Sequence, residues 1–128
     1  MSKQIIYTPD APAPIGPYSQ AVKAGDTLYV SGQIPMDAAS GEMINENITE
    51  ETHQVMKNLD AILTAAGMGF ANVVKCSIFI KDMNDFGTIN EAYGMYFKTE
   101  PPARETVEVV RLPKDVNVEI SCIAVDFS

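Results

Sequence analysis

The chain has 128 residues, 46% of them hydrophobic, and its seventeen acidic against nine basic side chains give a formal net charge of −8. That length suits one domain, residues 1–128, which can bury a core without disulfide or metal staples. The acidic balance, with no Lys/Arg stripe, excludes a phosphate-neutralising nucleic-acid surface.

No apolar run approaches the length of a membrane span, and the start MSKQIIYTPDAPAP lacks a basic segment followed by an apolar one, so a cytoplasmic protein is expected. Cys76 and Cys122 each lie inside an apolar strand-like run and are expected to be buried free thiols.

In chain order, the short run Gln4 to Tyr7 is followed by four prolines up to position 17, which fix an extended surface segment that cannot be helix. Tyr18–Val22 and Thr27–Ser31 are predicted as strands joined across Ala24-Gly25-Asp26. Gly32 stands at the strand end, where a missing Cβ admits a close neighbour. Residues 33–48 are predicted as loop. From Thr49 to Ala66 the residues Val55, Met56, Leu59, Ile62, Leu63 and Ala66 follow one helical face, with Asn47 as N-cap, Glu50 and Glu51 near the positive end, and Gly67 as the stop.

Val73–Ile80 is apolar on both faces and predicts a central strand. Asn84–Phe97 returns to helical spacing through Phe86, Ile89, Tyr93 and Phe97, with Asp82 or Asn84 as cap. Two strands follow, Glu105–Val110 and Val116–Val125, separated by Leu112-Pro113-Lys114-Asp115. The order ββαβαββ predicts an α/β (α+β) sandwich, a mixed β-sheet with two helices packed on one face. The uncovered face, with Val73 or Val74 and Val107 or Val110 on it, is expected to be an association surface, hence a homo-oligomer.

Two residues stand out chemically. Arg104 follows Pro101-Pro102-Ala103, so its backbone is restrained and its guanidinium can offer a planar fork to a carboxylate; the alternative is a rim salt bridge. Glu119 lies within an otherwise apolar strand. Its carboxylate either faces solvent or sits in a pocket that suits acid/base work. Tyr18, Ser31 and Asn90 are weaker candidates. His53 is placed in exposed helical turns without partners at metal spacing, and no metal is expected. There is no Gly-rich phosphate loop and no Gly-x-Ser-x-Gly elbow, so no cofactor is expected either.

An ordered series of motifs runs nearly end to end: Ala13-Pro14-Ile15-Gly16-Pro17-Tyr18-Ser19-Gln20-Ala21, then Val30-Ser31-Gly32-Gln33-Ile34-Pro35, then Phe79 through Phe86. Pro102-Ala103-Arg104, Leu112-Pro113-Lys114-Asp115 and Val118-Glu119-Ile120 complete it. With these the sequence resembles the Rid (YjgF) family, in particular its RidA branch of enamine/imine deaminases. The resemblance implies a chorismate-mutase-like fold, a homotrimer with sites at subunit interfaces, and a small 2-imino or 2-keto acid as ligand. It implies that Arg104 grips the ligand's carboxylate and that Glu119 works on water and protons. Tyr18, Ser31, Gly32, Phe86, Asn90 and Thr106 would line the pocket. Many members of the family carry a small residue and then cysteine after the arginine; here Glu105-Thr106 stand instead, which leaves no role for a thiol.

The expected activity is hydrolysis of 2-aminoacrylate and related 2-imino acids to 2-keto acids and ammonia. A non-catalytic 2-keto-acid-binding module is the alternative. A ribonuclease or translation inhibitor is opposed by the charge and the lone His53. In a simple hairpin about residues 112–115, Glu119 would face residue 108, about 13 Å from Arg104 along the strand. The resemblance implies instead that the last strand inserts between earlier ones and that a subunit boundary completes the site.

Overall fold

The computed structural model describes residues 2–128. Its strands are β1 (Gln4–Ile6), β2 (Ala21–Ala24), β3 (Thr27–Gln33), β4 (Val73–Ile80), β5 (Ala103–Glu108) and β6 (Val118–Val125), with helices α1 (Ile48–Ala65) and α2 (Phe86–Gly94). They form one mixed sheet in the order β1-β2-β3-β6-β4-β5, antiparallel throughout except for the parallel pair β4–β5. The last strand inserts between β3 and β4, so the β3-α1-β4 crossover is split around it.

Both helices pack on one face, as the spacing predicts. Helix α1 buries Val55, Met56, Leu59, Ile62 and Leu63 against Leu28 and Val30 of β3, Cys76, Ile78 and Ile80 of β4, and Val118, Ile120, Cys122 and Ala124 of β6. The N-cap is the expected one: Asn47 Oδ1 accepts the Glu50 N–H at 2.8 Å. Gly67 ends the helix at φ 74°, a left-handed conformation that glycine adopts without steric cost. Cys76 and Cys122 are free, buried and directly opposite one another across β4 and β6. Burial pushes both thiols up from their usual range.

Several boundaries differ from the sequence prediction. The first hairpin is shifted: β2 is Ala21–Ala24, joined to β3 by a two-residue Gly25-Asp26 turn with Gly25 at φ 62°. Tyr18-Ser19 lies outside the sheet because the buried Gln20 side chain captures the preceding segment. Gln20 accepts from the Thr8 N–H (2.7 Å) and donates to the carbonyls of Thr8, Ala11 and Pro12 (3.0–3.2 Å). The proline-rich segment, which has few amide donors of its own, is thereby tied to the strand start. Gln4–Ile6 pairs with β2 as an additional edge strand.

The predicted second helix is shorter: a 3-10 turn over Met83–Asp85, capped by Asp82, precedes α2, which ends at Gly94. Tyr96 and Phe97 leave the helix to pack on Phe70. Strand β5 begins at Ala103 and stops at Glu108, so Arg104 is a strand residue and Val110, 97% exposed, lies beyond the sheet. Val73 is buried on the helical side, while Val74 and Val107 are exposed, Val107 on the uncovered face. Tyr29, half-buried Phe79 and Ile123 share that face. His53 is half-buried rather than exposed, its Nδ1 2.8 Å from Tyr96 Oη. Among the described residues no helix is long and apolar enough to cross a membrane.

Candidate functional site

Strand alternation decides where the candidate side chains go. On β5, Arg104 pairs with Cys76, whose side chain is buried on the helical side, so Arg104 also points toward α2. There its Nη1 donates to Asn90 Oδ1 at 2.6 Å, and its Cζ lies 5.1 Å from the Tyr93 ring centroid and 5.6 Å from that of Phe86. Residues 86, 90 and 93 fall on one face of α2, so a single helix supplies both rings and the amide. Stacking on aromatic faces and one amide bond fix the guanidinium while leaving further N–H donors for an anion. Thr106, two residues on and on the same side, has a buried Oγ1 without a partner, as has Tyr93 Oη. Burial raises the Tyr93 phenol well above its usual range, so it stays neutral.

Glu119 lies on the opposite face. Its strand neighbours Val118 and Ile120 are buried under the helices, and the carboxylate projects into a cleft of about 360 Å³ lined by Ile15, Tyr18, Ser31, Gly32, Ile34 and Pro113. Gly32 is what makes room: a Cβ there would lie 2.8 Å from Glu119 Cδ and closer still to its carboxylate oxygen. Ser31 Oγ donates to Ser19 O at 2.6 Å and Tyr18 Oη accepts the Ile15 N–H at 3.2 Å, so the proline-rich segment forms one wall. Among the described residues the Glu119 carboxylate finds no hydrogen-bond partner, and burial raises its pKa above the ordinary carboxylate value. A carboxyl group held in this way is free to accept or give up a proton to a ligand in the cleft.

The candidates therefore assemble as two groups, Arg104 with Phe86, Asn90 and Thr106, and Glu119 with Tyr18, Ser31 and Gly32. Glu119 and Val107 both pair with Phe79, three residues along from the Cys76–Arg104 pair and two strands from β5. That register separates the Arg104 and Glu119 Cα atoms by about 14 Å, with side chains on opposite faces of the sheet. Insertion of β6 thus does not unite the pair within one chain. Sequence reasoning missed Tyr93 as a site residue, although its helical spacing from Phe86 carried the signal. It also missed Ile15, Ile34 and Pro113, for which composition gives none. No three His, Cys, Asp or Glu side chains cluster as a metal site among the described residues.

The family model described as Endoribonuclease L-PSP matches residues 8–126. A RutC family protein of Pyrococcus horikoshii is 52% identical over 122 residues, 95% of this chain and 97% of its own. The 2-iminobutanoate/2-iminopropanoate deaminase of Mus musculus is 50% identical over 123 residues, 96% of this chain and 91% of its own. The crystal structure of E. coli TdcF with bound serine superposes with a TM-score of 0.92 at 42% identity, over 96% of this chain and 98% of that one. With its motifs, its sheet order and these relatives in agreement, the chain belongs to the Rid (YjgF) family.

Proposed function

We propose that the protein hydrolyses small 2-imino acids, formed by tautomerisation of enamines such as 2-aminoacrylate, to 2-keto acids and ammonia. In this reading it works as a homotrimer whose sites lie between subunits. The observation that carries the reading is the division of the site: a guanidinium presented at one sheet edge and an unpaired carboxylate in a cleft on the opposite face. Each is half of a carboxylate-binding, proton-transferring centre, and a second copy placing its β5 edge over the Glu119 cleft joins them. The uncovered apolar sheet face supports such association. Imine deaminase activity in the mouse relative and bound serine, a three-carbon amino acid, in the E. coli relative point to the same ligand class.

In the proposed reaction Arg104 holds the carboxylate and aims the adjacent C=N at the Glu119 carboxylate of the neighbouring copy, replacing a random encounter by a positioned one. As water adds to the imine carbon, Glu119 takes one of its protons and passes it to the nitrogen, giving a carbinolamine. The carbinolamine hydroxyl then gives up its proton through Glu119 to the same nitrogen as the C–N bond breaks, so that water and imine become ketone and ammonia. Proton transfer of this kind contributes about 10² to 10⁴ in rate. Arg104 also answers the long-range repulsion of an anionic ligand by a chain of charge −8, since a cation dominates the potential within about 8 Å at physiological salt.

Mixing two dead variants tests the reading. Arg104→Ala and Glu119→Gln, refolded together at equal amounts, should recover about a quarter of wild-type turnover, since one interface in four joins an intact Arg104 to an intact Glu119. Activity would be followed as keto acid formed from freshly generated 2-aminoacrylate. No recovery in mixed assemblies verified by mass would refute a shared site.

A further inference from the structure

The turn after β5 is strained without an evident reason in the fold. Lys114 (φ 58°) and Asp115 (φ 56°) both adopt the left-handed conformation, and neither is glycine. Such a residue costs about 1 to 2 kcal/mol. The turn is closed by Asp115 N–H to Leu112 O (3.0 Å) and Val116 N–H to Pro113 O (3.3 Å). Its two ends, Leu112 and Val116, are buried in a small cluster with Ile34. Lys81 Nζ holds Asp115 Oδ1 at 2.5 Å from the end of β4. An exposed ion pair adds little stability, so this contact fixes position rather than offsetting the strain.

What the turn positions is Pro113. Its ring stands in the wall of the Glu119 cleft, Ile34 is shared between that cleft and the cluster anchoring the turn, and Ile15 faces them from the proline-rich segment. Three aliphatic groups therefore surround the one carboxylate, with no further charge among the lining residues. Strain retained beside a cleft points to a functional demand on the strained segment.

We propose that this turn is a specificity-determining wall: Pro113, backed by Ile34 and faced by Ile15, receives the aliphatic side chain of the ligand and sets how long it can be. The inference rests on the reading that the ligand is a 2-imino acid held at its carboxylate by Arg104. Pro113 is rigid and is pinned on both sides, so it cannot swing away to admit a longer chain as a flexible side chain would.

The test compares imino acids generated from alanine (methyl side chain) and from leucine (isobutyl side chain), together with calorimetric binding of the corresponding keto acids. Pro113→Ala and, at a half-exposed position that does not endanger folding, Ile15→Ala should each raise the leucine-to-alanine ratio of kcat/KM by about tenfold, the discrimination one or two methylenes supply in an apolar pocket. Keto-acid affinities should shift in the same sense. Unchanged ratios in folded variants would overturn the wall while leaving the deaminase reading intact. A shifted keto-acid preference in a protein that turns over neither imino acid would support the wall and refute the deaminase. A wild-type protein that neither turns over either imino acid nor binds either keto acid would refute both.

Discussion

The two candidate groups are placed in opposite ways, one held by its neighbours and one left without a partner. Arg104 is fixed by what touches it: two rings and an amide from α2 leave the guanidinium few alternatives at an otherwise exposed strand edge. Glu119 is accommodated by what is missing, a Cβ at position 32; its carboxylate has no hydrogen-bond partner, so it stays available, and burial makes it reluctant to ionise. A cation needs little desolvation to grip an anion, whereas a proton-transfer group needs a good deal to bring its pKa near working pH.

That contrast breaks first at the arginine. Arg104→Ala is expected to lower kcat/KM by roughly 10² to 10⁴, the worth of two charge-assisted hydrogen bonds, with unchanged circular dichroism, and Arg104→Lys should not restore the planar fork. Glu119→Gln should retain keto-acid binding by calorimetry and lose about 10² to 10⁴ in kcat; an unchanged kcat would remove Glu119 from the chemistry. Gly32→Ala sharpens the comparison further. The Glu119 carboxylate is the end of a flexible side chain and can move aside, so the variant should lose about tenfold or more in kcat while its stability changes by only about 1 kcal/mol.

Smaller effects belong to stability. Glu51, 1% exposed, accepts from Asn117 Nδ2 at 2.7 Å and ties α1 to the start of β6. Asn117→Ala should cost about 2 kcal/mol of stability, read from urea unfolding, by leaving a buried carboxylate short of a donor. The last prediction concerns pH. Because the folded pKa of Glu119 is raised by burial, its ionised form destabilises the fold fully above that pKa, and the penalty fades as pH falls from there to the unfolded value of about 4.3. Glu119→Gln should therefore be more stable than wild type near pH 7, with the difference vanishing toward pH 4 in thermal melts. A constant difference across that range would show that ionisation is not its cause.

Much of this was legible in the sequence because it is local. The α1 stripe, its Asn47 cap and Gly67 stop, and the apolar β4 follow from periodicity and capping chemistry, which act over one or two turns. The errors fall where distant groups intervene. Gln20 draws Tyr18 out of the strand through partners eight to twelve residues away, and Phe70 takes Tyr96 and Phe97 from the end of α2. His53 is half-buried where its local pattern predicts exposure, because its partner Tyr96 lies 43 residues on.

By itself the sequence determined the two helices, their single-faced burial and the family through its ordered motifs, and it singled out Arg104 and Glu119 as candidates. Only the tertiary structure decided that Arg104 and Glu119 stand on opposite faces, that Tyr93 rather than solvent backs the guanidinium, and that Pro113 walls the carboxylate's cleft. The reason is physical. Period-two alternation assigns side chains to faces only once register and strand order are known, and those are set by pairings between residues far apart in the chain.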